Sequence, residues 1–411
     1  MTTTAADLVV VGGGTIGGWA SVFARSVGAA SVVVLERGLV GQGASGRAAG
    51  IVRAQGGTPA AVQLGRWSID FYRRQSEELG VDSGFREQGY LLLAVTPEDV
   101  DQAHERMDMQ TDLGLDVRWV DPQEAAALNP TLSPEANLGA TYRAGDGFID
   151  PPRNVLAYRV AMARTGVELR ERTAFLGLRT RGSNGVEVTG VETSAGPIST
   201  KRVLLTGGPT LGEVGRLAGV TIPAGAVRHQ VAVTEPHPEF DRDRLPMVFD
   251  VGAGLYWRLE ESGLLFGMSN PDEQPGPARA VDWQYLELMR KRLARFVPVT
   301  EGLGLRKLWA ATIDYTPDHL PVLGPGLTGD GAAIEGLTVA SAGGHGMMWG
   351  PAVARTAVDL SLEGKSEVLD VRDLGLDRFD AEGRSRLAPD SIALPFPVTA
   401  TIDSGADRQE R

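Results

Sequence analysis

Gly12-Gly13-Gly14-Thr15-Ile16-Gly17 fits the spacing G-x-G-x-x-G, and an acid, Glu36, follows 19 residues after the last glycine. That pattern suits the pyrophosphate of a dinucleotide. Gly12 permits a tight turn out of a strand, Gly14 lets a phosphate approach the backbone, and Gly17 lets a helix pack closely on the strand. The helix that follows offers free N–H groups and a partial positive charge to the phosphates. Glu36 can accept both ribose hydroxyls of an adenosine. An acid at that place argues against a 2′-phosphate, which leaves NAD or FAD. A second glycine-rich exit, Gly343-Gly344-His345-Gly346, lies near the other end of the chain. It would aim another positive helix end at the same ligand.

The elements that must hold these residues can be read around them. Leu8 to Val11 and Ser31 to Leu35 are short valine-rich runs, and Trp19 to Val27 between them can form a helix. That is a βαβ unit. Residues 38–57 read as a long loop. Helices are expected over 60–80, Pro97 to Leu113, Val155 to Thr165, Val281 to Phe296 and from about Met347 to Leu362. Strands are expected over Gly89 to Val95, Val167 to Glu171, Lys201 to Thr206 and Leu337 to Ala340. Val227 to Thr234, Gly254 to Arg258 and Leu264 to Met268 suggest an antiparallel sheet in mid-chain. From Arg372 on the chain reads as a polar, surface-wrapping tail with a frayed end.

Composition narrows the chemistry. The chain has 411 residues, a net charge of −12 and no cysteine. The missing cysteine excludes disulfides, thiolate metal sites and a cysteine nucleophile. The five histidines lie far apart in the sequence, so no metal site is expected. An acidic chain is a poor match for nucleic acid. No apolar run approaches the ~20 residues that span a bilayer, so no membrane association and a cytoplasmic protein are expected.

Five further segments carry a resemblance. They are Gly43-Ala44-Ser45-Gly46-Arg47-Ala48-Ala49-Gly50-Ile51-Val52-Arg53, Gly84 to Leu91, Val203 to Pro209, Trp309 to Gly324 with Thr316-Pro317-Asp318, and Gly343 to Met348. With the N-terminal motif they resemble the D-amino acid oxidase-like family of FAD enzymes. The branch of sarcosine oxidase β subunits and proline dehydrogenase β subunits is the most similar. The resemblance runs from Asp7 to about Leu369.

It implies an α/β fold, with a discontinuous Rossmann-like FAD domain over residues 1–85, 140–215 and 320–370. An antiparallel-sheet substrate domain would take 86–139 and 216–319, and 371–411 would be a tail. It also implies flavin contacts at Gly12, Gly14, Thr15, Ile16, Gly17, Glu36, Arg37, Ala44, Ser45, Arg47, Ala48, Gly50, Ile51, Gly207, Gly208, Gly343, Gly344, His345, Gly346, Met347 and Met348.

The implied reaction is oxidation of a C–N bond in a small-molecule amine, a secondary, tertiary or cyclic one that bears a carboxylate, as sarcosine and proline do. A hydride leaves the carbon beside the nitrogen, and the imine formed is hydrolysed. Arg53 stands where relatives keep an arginine for the substrate carboxylate, a role that suits a planar guanidinium. Tyr256 matches an active-site tyrosine, Arg258 shares its strand face, and His345 would polarise substrate or order the flavin loop. The departures from the pattern are informative. Ile313 replaces the carboxylate-binding arginine of the amino-acid oxidases, which disfavours a plain D-amino acid substrate. Met348 and Leu265 replace two lysines, one of which promotes reaction with O2, so either O2 or another electron acceptor fits. Arg47 replaces a flavin-linking histidine, and relatives' linking cysteine near Tyr315 is absent, so FAD should be non-covalent. Two alternatives stand beside this reading: the β-subunit relatives imply a flavoprotein subunit of a hetero-oligomeric dehydrogenase complex with a partner subunit, and other relatives with this fold imply an FAD oxidase of a 2-hydroxy acid.

Overall fold

The computed structural model describes residues 4–182, 186–277 and 280–392. Leu8–Val11 (β1) and Val32–Leu35 (β2) flank the helix Thr15–Ser26 (α1). β1 pairs in parallel with β2 on one side and with Val203–Leu205 on the other. Val203–Leu205 pairs in parallel with Ala333–Ser341. β1, β2 and Val203–Leu205 are apolar at every position because both faces of the sheet are covered there. Leu8, Val10, Val32 and Val34 pack on a helical layer that includes Trp19 and Val353. Val9, Val11, Val33 and Leu35 pack on the opposite side with Leu205, Leu211 and Val339.

Parallel strands end on one edge of their sheet. That edge receives Gly12 to Gly14 after β1, Glu36 after β2, Thr206 to Gly208 after the third strand and Ala342 to Gly346 after the fourth. Close approach at this edge needs glycine. A Cβ on Gly17 would lie 1.9 Å from the Gly12 carbonyl oxygen, and Gly12 itself has φ +109° with Thr206 O 2.7 Å from where a Cβ would stand.

A second sheet has eight strands. Its spatial order is Leu305–Tyr315, Gly225–Thr234, Gly263–Met268, Leu255–Glu260, Met247–Asp250, Tyr90–Ala94, Gly139–Arg143 and Arg118–Val120. It is antiparallel except where Met247–Asp250 runs parallel to Tyr90–Ala94. Those two strands come from distant parts of the chain, so no hairpin constrains their direction. The last helix starts at Gly350 rather than near Met347, and the long loop holds a 3-10 turn, Ala44–Gly46, and a short strand, Ile51–Val52. No helix among the described residues is long and apolar enough to cross a membrane.

The described part of the C-terminal segment runs along the surface, with Arg372, Asp373, Glu382 and Arg384 exposed, but it is anchored inward at several points. Arg378 is buried and forms a two-point ion pair with buried Asp318, with Nε to Oδ2 at 2.7 Å and Nη2 to Oδ1 at 3.0 Å. Ser385 donates to the same carboxylate at 2.5 Å, and Ile392 is only 1% exposed. Arg378 and Ser385 are spent on Asp318 rather than on water, whereas Arg372, Arg384 and Arg386 stay exposed. The frayed end falls on 393–411, outside the described residues. Burial alone would raise the Asp318 pKa. The hydrogen bonds and charge of Arg378 more than offset it and hold the carboxyl below its usual range. Removing one partner of a buried pair strands the other charge. Arg378→Ala should therefore destabilise by about 3–5 kcal/mol in urea unfolding, whereas Arg386→Ala, a half-exposed arginine, should cost less than about 1 kcal/mol.

Candidate active site

A cavity of about 700 Å3 is lined from both sheets. Its first half gathers the glycine-rich strand exits. Every cofactor candidate from the sequence lines it except Gly17 and Gly343. Gly17 supports the helix–strand contact. Gly343, at φ +55°, makes the turn that delivers Gly344 and His345, and a Cβ there would lie 2.9 Å from the Leu320 carbonyl oxygen. The Glu36 carboxylate is fixed by two backbone amides, Gly13 N to Oε2 at 3.0 Å and Gly38 N to Oε1 at 2.8 Å. Each oxygen keeps a lone pair for a ligand hydroxyl. Ser45 is brought from the loop to the first turn of α1, where its Oγ accepts from Thr15 N at 2.9 Å. Arg47 is held over the cavity by its own carbonyl, which accepts from Trp309 Nε1 at 2.8 Å.

These features fit a dinucleotide. The acid stands ready for a ribose, the N-terminus of α1 opens on the cavity for phosphates, and the Gly344 to Met348 loop lines the remainder.

The second half holds three of the four catalytic candidates, Arg53, Tyr256 and His345. Arg53 is 4% exposed. Its guanidinium donates to the Gln55 carbonyl and, at 3.0 Å, to the Ile392 carbonyl. Both acceptors are neutral, and among the described residues Arg53 has no ion pair. The loop that carries it is fastened by buried Asp146, which accepts from Ala54 N at 2.9 Å and Gln55 Nε2 at 3.2 Å. Arg258 does not line the cavity. It shares the sheet face with Tyr256, but its Nε is on the Ala49 carbonyl at 2.7 Å and its Nη1 on Glu260 at 2.6 Å. Its Nε and Nη1 are engaged by these carbonyls and the carboxylate, so it fastens the 44–51 loop.

His345 Nδ1 is 3.1 Å from the Gly343 carbonyl oxygen. A carbonyl only accepts, so that nitrogen carries the proton and Nε2 keeps a lone pair. Burial, with Arg53 nearby, pushes the His345 pKa down to about 3. Tyr256 Oη is 2.7 Å from His229 Nε2. The ring fits because its cross-strand neighbour is Gly267, where a Cβ would lie 2.2 Å from the hydroxyl. Burial pushes the His229 pKa down to about 4 and raises that of the Tyr256 phenol. The pair is therefore neutral at pH 7, with one proton shared between an imidazole and a phenol. Buried Asp314 accepts from Ser341 Oγ at 2.8 Å and faces the same cavity, and burial raises its pKa.

Comparison with known proteins decides the family. The model of the family described as FAD dependent oxidoreductase matches residues 7–360. The chain belongs to this family of FAD-dependent oxidoreductases.

Within the family it is similar to rat mitochondrial dimethylglycine dehydrogenase, 27% identical over 91% of this chain and 45% of the relative. The chain thus spans about half the length of the first curated relatives it matches. Among solved structures it is similar to L-proline dehydrogenase from P. horikoshii, with a TM-score of 0.81 and 25% identity over 89% of this chain and 96% of that one. Glycine oxidase from Geobacillus kaustophilus gives 0.79 and 26% over 92% and 100%. The expected fold class is the observed one.

Two residues that line this FAD oxidoreductase's cavity, His229 and Ile392, carried no motif in the sequence. His229 was discoverable. Val227, His229, Val231 and Val233 alternate along a predicted strand, so one ring nitrogen pair sits on an otherwise apolar face. Ile392 had no such signal.

Two buried neutral histidines make stability pH-dependent. Their folded pKa values lie below the unfolded value of 6.5. The unfolded chain therefore binds protons first as the pH falls, and stability present above 6.5 is lost on the way down toward about 4 and about 3. The loss should approach about 1.4 kcal/mol per pH unit for each histidine. Urea unfolding at pH 7 and pH 5 should show it, and His229→Gln and His345→Gln should each flatten the slope.

Proposed function

We propose that the protein oxidises the C–N bond of a small secondary, tertiary or cyclic amine that bears a carboxylate. The observation that carries this reading is Arg53. It is a buried cation with only neutral partners among the described residues, in the same cavity as the Tyr256–His229 pair and the glycine-rich exits. A buried charge is costly until an anion meets it, and a carboxylate is the anion that a guanidinium fork fits best. The printed activities of relatives, on dimethylglycine, proline and glycine, all concern small amines with a carboxylate.

FAD, when bound, supplies the hydride acceptor. The chain's own groups do the rest. Arg53 would bind and orient the substrate. Tyr256 and His229 could take a proton from the substrate nitrogen at Nε2 through the phenol, since both are neutral and the imidazole is the better base. The apolar walls, Phe249 and Val231 among them, exclude water from the reacting carbon. His345 Nε2 can accept a hydrogen bond from a ligand but offers no charge. None of the chain's four lysines lines the cavity, which favours an acceptor other than O2. The chain's span of about half of the dehydrogenase relatives supports a second reading, in which it is the flavoprotein portion of a larger assembly.

Anaerobic bleaching of the flavin bands by N-methyl and cyclic amino acids tests the proposal, and no bleaching by any of them would end it. Arg53→Ala should raise KM for such substrates by the equivalent of about 2–4 kcal/mol, while a matched amine without a carboxylate is unaffected. The FAD is proposed to be non-covalent, because no cysteine is present and Arg47 stands in the cavity wall. Acid precipitation should release all flavin into the supernatant.

A further inference from the structure

The C-terminal segment reaches the carboxylate side of the cavity. We infer that Ile392 is an affinity-determining residue of that subsite: its backbone carbonyl takes on Arg53 the place of one substrate carboxylate oxygen, and a substrate must displace it. The inference rests on the carboxylate role proposed for Arg53.

The seat of Ile392 is built rather than incidental. Its carbonyl accepts from Arg53 Nη2 at 3.0 Å, and the residue is 1% exposed. Its side chain packs in the apolar cluster of Tyr90, Phe148, Phe249 and Tyr256, and it lines the cavity. Its N–H is held by Asp390 Oδ1 at 3.1 Å, and Asp390 N donates to the Asp318 carbonyl at 3.3 Å. Asp318 is in turn fixed by Arg378 and Ser385. The floor beneath is Gly57, where a Cβ would lie 1.9 Å from Asp390 Oδ1. The anchor at Asp318 is ionic and buried, whereas the terminal contact on Arg53 is one neutral hydrogen bond. The contact at Ile392 is therefore the one that yields.

A neutral carbonyl satisfies a buried guanidinium only in part. A carboxylate makes hydrogen bonds about twice as strong and can engage two N–H groups at once. Exchange of Ile392 for substrate is favourable, but the substrate gains only the difference. Ile392 thus acts as an internal competitor that raises the KM of carboxylated amines and keeps Arg53 partnered between turnovers.

The test uses the flavin-loaded full chain, a chain ending at Asp390, and Asp390→Ala, which removes the acceptor for the Ile392 N–H. Acetate is the probe, followed by its perturbation of the flavin absorption bands. The acetate Kd should fall ~3–10-fold in the shortened chain and in Asp390→Ala, the size of one lost competing hydrogen bond. KM for a carboxylated amine should fall with it, and the limiting rate of anaerobic flavin reduction should not change. Arg53→Ala should abolish the acetate effect. Equal or weaker acetate binding in both variants, with the Arg53 dependence intact, overturns the inference and leaves the proposed function standing. Acetate binding that ignores Arg53→Ala, or none in any form, overturns the carboxylate reading and this inference with it. If the shortened chain loses its FAD, Asp390→Ala decides alone.

Discussion

The parallel direction of four central strands is the constraint on which the rest depends. Parallel strands finish on one edge, so every exit from β1, β2, Val203–Leu205 and Ala333–Ser341 opens toward the same space. A ligand can then be gripped by residues about 330 positions apart, such as Gly12 and His345. The exits must come close to one another, and they do so only where side chains are absent. The 1.9 Å clearance at Gly17 and the 2.7 Å clearance at Gly12 show how little room is left. An acid pinned by two amides, Glu36, completes the edge at its far side.

The second sheet closes over that edge and adds a different environment. Its inward face has an apolar part, Val231, Phe249 and Leu265, and it carries polar groups beside it: the His229–Tyr256 pair and Asp314, with Arg53 from the loop below. Burial governs each of them. It keeps the imidazoles neutral and raises the phenol, while the guanidinium has no ion pair among the described residues. The cavity thus sets one buried cation, Arg53, beside neutral proton carriers, while Arg37 and Arg47 line its other half. The C-terminal segment adds a third contribution, because its buried ion pair at Asp318 is what allows a backbone carbonyl to reach Arg53.

Much of the site was legible before any coordinates. G-x-G-x-x-G followed by an acid is local, since turn geometry and helix packing specify it within one βαβ unit, and Gly12, Gly17 and Glu36 stand as that logic requires. The Gly343 to Gly346 turn was legible for the same reason. Arg258 was misplaced by strand periodicity. The period of two fixes the face of a sheet, but not whether a long side chain ends in a cavity or on a neighbouring loop. His229 was within reach of the same alternation. Asp314 falls inside the Trp309 to Gly324 segment, and its burial cannot be read from that pattern.

The sequence by itself determined the dinucleotide edge, the absence of thiol chemistry and the family to which the chain belongs. These rest on short-range spacing and on residue types, which survive translation into any tertiary context. Tertiary structure alone decided that Tyr256 and His229 share a hydrogen bond, that Arg53 has no ion pair among the described residues, and that a polar-looking C-terminal segment turns inward at Ile392. Each of these depends on which distant groups are brought within about 3 Å. That is set by the closing of two sheets on one another, and no local pattern encodes it.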